Sequence, residues 1–101
     1  MNAADCYQRA LTADRAGHPF RDHLLAYARH SLIQYQQMGI VQVSILTAGK
    51  GNACLACQAQ AEAVFSIAEA LRLMPLPCPT CSFSLYSATP GFCRCIWSPL
   101  A

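Results

Sequence analysis

The chain has 101 residues, 54% of them hydrophobic and 12% charged, with a formal net charge of +2. That balance excludes intrinsic disorder, and the single lysine, Lys50, argues against a protein organised around phosphate contacts. A chain this short buries only about 60–70% of its unfolded surface, so a cysteine-rich half without a long apolar pattern gains from a metal or disulfides.

Residues 3–16 read as a helix, with Cys6, Tyr7, Ala10 and Leu11 on one stripe and Gly17 placed to end it. His18-Pro19 opens a second helix with proline near the first turn, where its missing N–H costs nothing. Phe20, Leu24, Tyr27, Ala28, Leu32, Tyr35 and Met38 step by three and four along that helix, and Gly39 closes it. The short link predicts an antiparallel helical hairpin. Val41, Val43 and Ile45 alternate with Gln42 and Ser44 and predict a strand. Gly49-Lys50-Gly51-Asn52 reads as a turn and lacks the spacing of a phosphate-binding loop. Ser66 followed by Glu69 marks a capping box for a short helix to about Met74, which Pro75, Pro77 and Pro79 stop. SFSLYSATPG reads as a polar, partly mobile loop. CRCIWS reads as a second strand, pairing antiparallel with VQVSIL.

Six of the seven cysteines fall in three pairs: Cys54 and Cys57, Cys78 and Cys81, Cys93 and Cys95. The first two pairs are CxxC motifs separated by twenty residues, a spacing suited to a four-cysteine zinc site. Zinc wants tetrahedral ligands with Zn–S near ~2.3 Å, and two residues between thiols let one tight turn deliver both sulfurs. The preferred ligand set is therefore Cys54, Cys57, Cys78 and Cys81. Cys93 and Cys95 flank Arg94, and alternate residues of a strand share a face. Sets built from Cys54, Cys57, Cys93 and Cys95, from a mixture of the later pairs, or from all six thiolates around two zinc ions stay open.

A lone CxxC also suits a thiol oxidoreductase, but such a thiol needs activation at a helix N-terminus in a βαβ setting, and only one clear strand precedes this motif. An odd cysteine count and the absence of an export signal argue against a disulfide framework and predict a cytoplasmic protein without a membrane span. His23 and His30 share a helical face without carboxylate partners at metal-site spacing, and His18 stands apart. Cys6 reads as a small buried residue. Glu62 and Glu69 form an ordinary helix-surface pair, and no catalytic motif appears. A four-thiolate zinc leaves no open position for an activated water, so the zinc is expected to be structural.

The string VQVSILTAGKGNACLACQAQAEAVFSIAEALRLMPLP…PGFCRC resembles the C-terminal module of the phage head morphogenesis (Mu F-like minor head protein) family. The matches are Leu46-Thr47-Ala48, Cys54 and Cys57, Val64-Phe65, Glu69-Ala70-Leu71, Pro75-Leu76-Pro77 and Cys93-Arg94-Cys95, over roughly residues 40–97. Glu62-Ala63 replaces the family's Gly-Lys, and Pro90-Gly91-Phe92 replaces the segment carrying its histidine. Cys78 and Cys81 are extra to the pattern. The resemblance implies a metal-bound module, as a short stand-alone relative.

The expected fold is α+β: a helical hairpin over residues 1–39 packed on a zinc-stabilised β unit with one short helix over residues 40–101. The expected function is that of a structural-zinc module binding a protein partner, with Phe83, Leu85, Tyr86 and Trp97 as candidate contacts and Trp97 equally a candidate for the core. The alternatives are a nucleic-acid-binding zinc ribbon using Lys50, Arg72 and Arg94, and a CxxC thiol oxidoreductase. The low basic count weakens the ribbon.

Overall fold

The computed structural model describes residues 2–47 and 55–100. Helix α1 spans Ala3–Arg15. Its first turn is held by a reciprocal capping box: the Asp5 N–H donates to Asn2 Oδ1 and the Asn2 N–H donates to Asp5 Oδ2. Helix α2 spans Arg21–Gln37, so Pro19 lies just ahead of the capping residue Phe20 rather than in the first turn. Both helices end in the same way. The N–H of His18 donates to the carbonyl of Ala13, and that of Ile40 to the carbonyl of Tyr35, closing six-residue C-terminal loops. These loops need a left-handed residue, and Gly17 (φ 74°) and Gly39 (φ 82°) supply it.

The predicted stripes pack with shifts at their ends. Cys6 and Ala10 of α1 are buried, joined by Ala13 and Asp14, while Tyr7 and Leu11 are half-buried. Phe20, Leu24, Ala28 and Leu32 line the buried face of the second helix. Met38, expected on that stripe, is 64% exposed because it falls on the residue that caps the helix.

Strand β1 (Gln42–Leu46) is central in a three-stranded antiparallel sheet of order β2-β1-β3. Strand β2 is Val64–Ser66 and β3 is Ile96–Leu100. Val43 and Ile45 point into the core as their alternation predicts, whereas Val41 precedes the strand and is exposed. The register sets Val43 opposite Phe65 and Ile45 opposite Trp97. The Phe65 and Trp97 rings meet edge to face beneath β1, 5.8 Å apart. Pro99 is tolerated because β3 is an edge strand, with one side free of ladder bonds.

A five-residue helix, α3 (Leu55–Ala59), precedes β2, and α4 (Ile67–Leu73) follows it directly. Ser66 caps α4 as expected: its Oγ accepts the Glu69 N–H at 3.1 Å, and Glu69 Oε1 accepts the Ser66 N–H at 3.3 Å. Helix α1 packs on α2, and α2 packs in turn on α4 and β3. One buried cluster joins Leu32, Val43, Ile45, Ile67, Ala70 and Trp97 to five cysteines. A second holds Ala10, Ala13, Phe20 and Leu24 of the hairpin together with Phe92. The fold is thus α+β, with helices α1 and α2 packed against each other.

Candidate metal centre

Strands β2 and β3 both run antiparallel to β1, so both begin at its Leu46 end: Ile96 lies opposite Leu46, and Val64 opposite Ser44. The segments entering those strands carry the cysteines. Cys57 sits on α3, upstream of β2, and Cys93 and Cys95 lie on the extended segment leading into β3. The backbone continues the β1 ladder outward, with Glu62 N–H donating to the Ile45 carbonyl at 2.9 Å and Ile45 N–H to the Ala63 carbonyl at 3.0 Å. Glu62 takes a left-handed conformation (φ 65°) to make this turn.

This topology brings the sulfurs of Cys57, Cys93 and Cys95 within 4.8 Å of one another. The Cys57 and Cys93 sulfurs are 3.8 Å apart. A tetrahedral ion with ~2.3 Å metal–sulfur bonds has sulfur–sulfur edges of ~3.8 Å, so the spacing fits a thiolate-bound ion. All three residues are buried, with 1%, 3% and 7% of their surface exposed.

The electrostatics of the group favour anionic sulfur at Cys93. The Cys95 thiol donates to its sulfur, the N–H groups of Cys78 and Cys95 and the Cys57 thiol add to this, and together they outweigh burial and lower the Cys93 thiol to about 5. Cys95 is pushed up because its proton is held in the hydrogen bond it donates to Cys93 and because burial and the neighbouring sulfur charges resist a second anion. The pair shares a proton where a cation would neutralise both sulfurs.

Cys78 takes another place. Its backbone N–H donates to Cys93 Sγ at 3.3 Å. Its own sulfur meets Gln60 Nε2 at 3.6 Å and Thr80 Oγ1 at 3.8 Å. The Cys81 N–H donates to the Cys78 carbonyl at 3.2 Å, closing the turn expected of this CxxC. Cys78 and Cys81 are buried in the same cluster but stand outside the group of converging sulfurs. Cys54 and the turn at 49–52 lie outside the described residues. No disulfide joins the described cysteines. Cys6 is buried on α1, and no histidine belongs to the metal-competent group found among the described residues.

The aromatic contacts expected near the C-terminus divide. Trp97 is core, 3% exposed, because its strand position faces Ile45; Phe83 and Leu85 are half-buried, and Tyr86 is exposed. Two residues carry more structure than their sequence context suggests. Asp14 is fully buried and accepts the Tyr86 N–H (2.9 Å) and the Ser87 hydroxyl. Phe92 is fully buried against Phe20, with ring centroids 5.0 Å apart. A large aromatic beside a CxC in a polar segment is the one signal that marks Phe92. Nothing in the α1 pattern marks Asp14.

The chain matches no family model, no curated protein and no solved structure. No helix among the described residues is long and apolar enough to cross a membrane.

Proposed function

We propose that the chain is a structural-zinc module that presents a surface to a protein partner, with Cys57, Cys93 and Cys95 as ligands. The observation that carries this is the convergence of three buried sulfurs, from segments far apart in sequence, within 4.8 Å of one another, with the Cys57–Cys93 pair at the 3.8 Å edge of a tetrahedral site. Cys54 completes the set on its CxxC spacing alone. This is the first CxxC joined to the third cysteine pair. The second pair then serves the site from outside: the Cys78 N–H holds a ligand sulfur, as residues behind metal ligands commonly do.

The donor set fits zinc, because four thiolates suit a closed tetrahedral site and leave no position for water or substrate. Its binding energy becomes folding energy in a chain with a small core. Burial of the cysteines supports this reading over thiol exchange, which needs an accessible thiolate. Exposed Val41, Leu46 and Val64 around the sheet supply apolar contact area for a partner. The shared order of short motifs belongs to the same proposal: the chain is read as a relative of the C-terminal module of the Mu F-like minor head protein family.

Metal analysis of single Cys→Ser variants tests the ligand set. Cys57→Ser, Cys93→Ser and Cys95→Ser are expected to lose bound zinc, while Cys78→Ser and Cys81→Ser keep it. Retention by Cys93→Ser and Cys95→Ser with loss in Cys78→Ser and Cys81→Ser would move the site to the two CxxC motifs.

A further inference from the structure

The segment between Phe83 and Cys93 is held at three places. At its base, the N–H groups of Gly91 and Phe92 both donate to the Phe83 carbonyl at 3.0 Å. At its tip, the Tyr86 N–H and the Ser87 hydroxyl donate to the buried carboxylate of Asp14. Arg15 Nη2 donates to the Tyr86 hydroxyl at 2.9 Å, and its guanidinium lies 4.4 Å from the centre of the same ring. At its end, Phe92 fills a slot of the hairpin lined by Tyr7, Ala10, Ala13, Phe20 and Leu24. The next residue is Cys93. A three-residue turn, with the Cys93 N–H donating to the Gly91 carbonyl at 2.9 Å, joins the two.

Helix α1 packs chiefly on α2 among the helices and strands. Its other firm attachment is this segment. We infer that residues 83–93 act as a strap coupling metal loading of the thiol site to docking of α1. With zinc bound, Cys93 is fixed, and the apolar slot of the hairpin is filled by the chain's own Phe92. Without it, the strap's fixed end is lost, α1 loosens, and the slot opens. The inference rests on the proposed metal site. The coupling is reciprocal: whatever factor metal adds to docking, docking adds to metal affinity.

The test uses the full reduced chain, loaded with zinc or stripped with a chelator, read by amide hydrogen exchange. Stripping is expected to speed exchange in residues 3–15 and 83–93 by about tenfold or more beyond any change in β1 and α4. In a second arm, zinc affinity is measured by chelator competition for Phe92→Ala and for Asp14→Asn, which preserves volume. Both variants are expected to bind one zinc about tenfold more weakly than the parent, with the same sulfur ligands. Unchanged exchange in α1 would overturn the strap, as would an equal loss of protection in every element, or parental zinc affinity in both variants. Failure of the parent chain to bind zinc would overturn the metal site itself, and is read before either arm begins.

Discussion

Cys93 is the residue on which the site turns. It receives the Cys78 N–H, lies 3.8 Å from the Cys57 sulfur and follows the buried Phe92. Its thiol is lowered from 9.0 to about 5, chiefly by the Cys95 thiol donating to it. A group depressed on folding adds stability that is complete above its unfolded pKa and lost as pH falls through its folded one. Reduced, metal-free protein should therefore gain stability in denaturant melts between pH 5 and pH 9. Cys95 is displaced the opposite way and keeps its proton throughout that window, so it does not cancel the slope. Cys93→Ser should flatten it, and an unchanged slope in that variant would assign the dependence elsewhere. Zinc binding displaces the shared proton, so its affinity should also rise with pH.

At the scale of elements, helix α4 is held by local chemistry that a single substitution can read. Ser66→Ala removes the acceptor of the Glu69 N–H and should cost about 1 kcal/mol in denaturant unfolding without altering metal content. Loss of zinc in that variant would mean that α4 and the site are not separable. This capping box was legible because its signal lies within four residues. So were the two long helices, with their closing glycines, because periodicity and turn chemistry are local; the run CRCIWS was readable as a partner of β1, but its strand starts only at Ile96 and leaves Cys93 and Cys95 ahead of it. Helix α3 and strand β2 were not legible: five and three residues are too few to show a period. Strand β2 exists through its ladder to β1. The ends of the long elements also shifted for tertiary reasons, leaving Met38 and Val41 exposed where the alternation alone would bury them. For the site, the residue type was readable from CxxC and CxC spacing, since the converging group is made of cysteines. Which sulfurs converge was not, because that follows from both flanking strands starting at the same end of β1.

Across the whole molecule, two buried clusters are linked along α2, which gives Leu24 to one and Leu32 to the other, and at the adjacent Phe92 and Cys93. The radius of gyration of 13.0 Å equals the ~13 Å expected of a compact chain of about 100 residues. Phe92, from the cysteine-rich half, completes the hairpin core, and its loss should cost about 3–5 kcal/mol in overall unfolding. Calorimetry of Phe92→Ala checks this; a melting curve superimposable on the parent would deny the ring a role in joining the clusters. A net charge of +2 is a weak electrostatic footprint, so the structural-zinc proposal expects no retention of duplex DNA at low salt, and retention that falls steeply with salt would favour the zinc ribbon. The central claim is that converging thiolates bind zinc and thereby complete the fold. X-ray absorption at the zinc edge, on protein purified without added metal and brought to one equivalent, tests it most directly. The account predicts a shell of about four sulfurs at ~2.3 Å. A shell of nitrogen and oxygen near ~2.0 Å, or zinc that stays in solution, would contradict it.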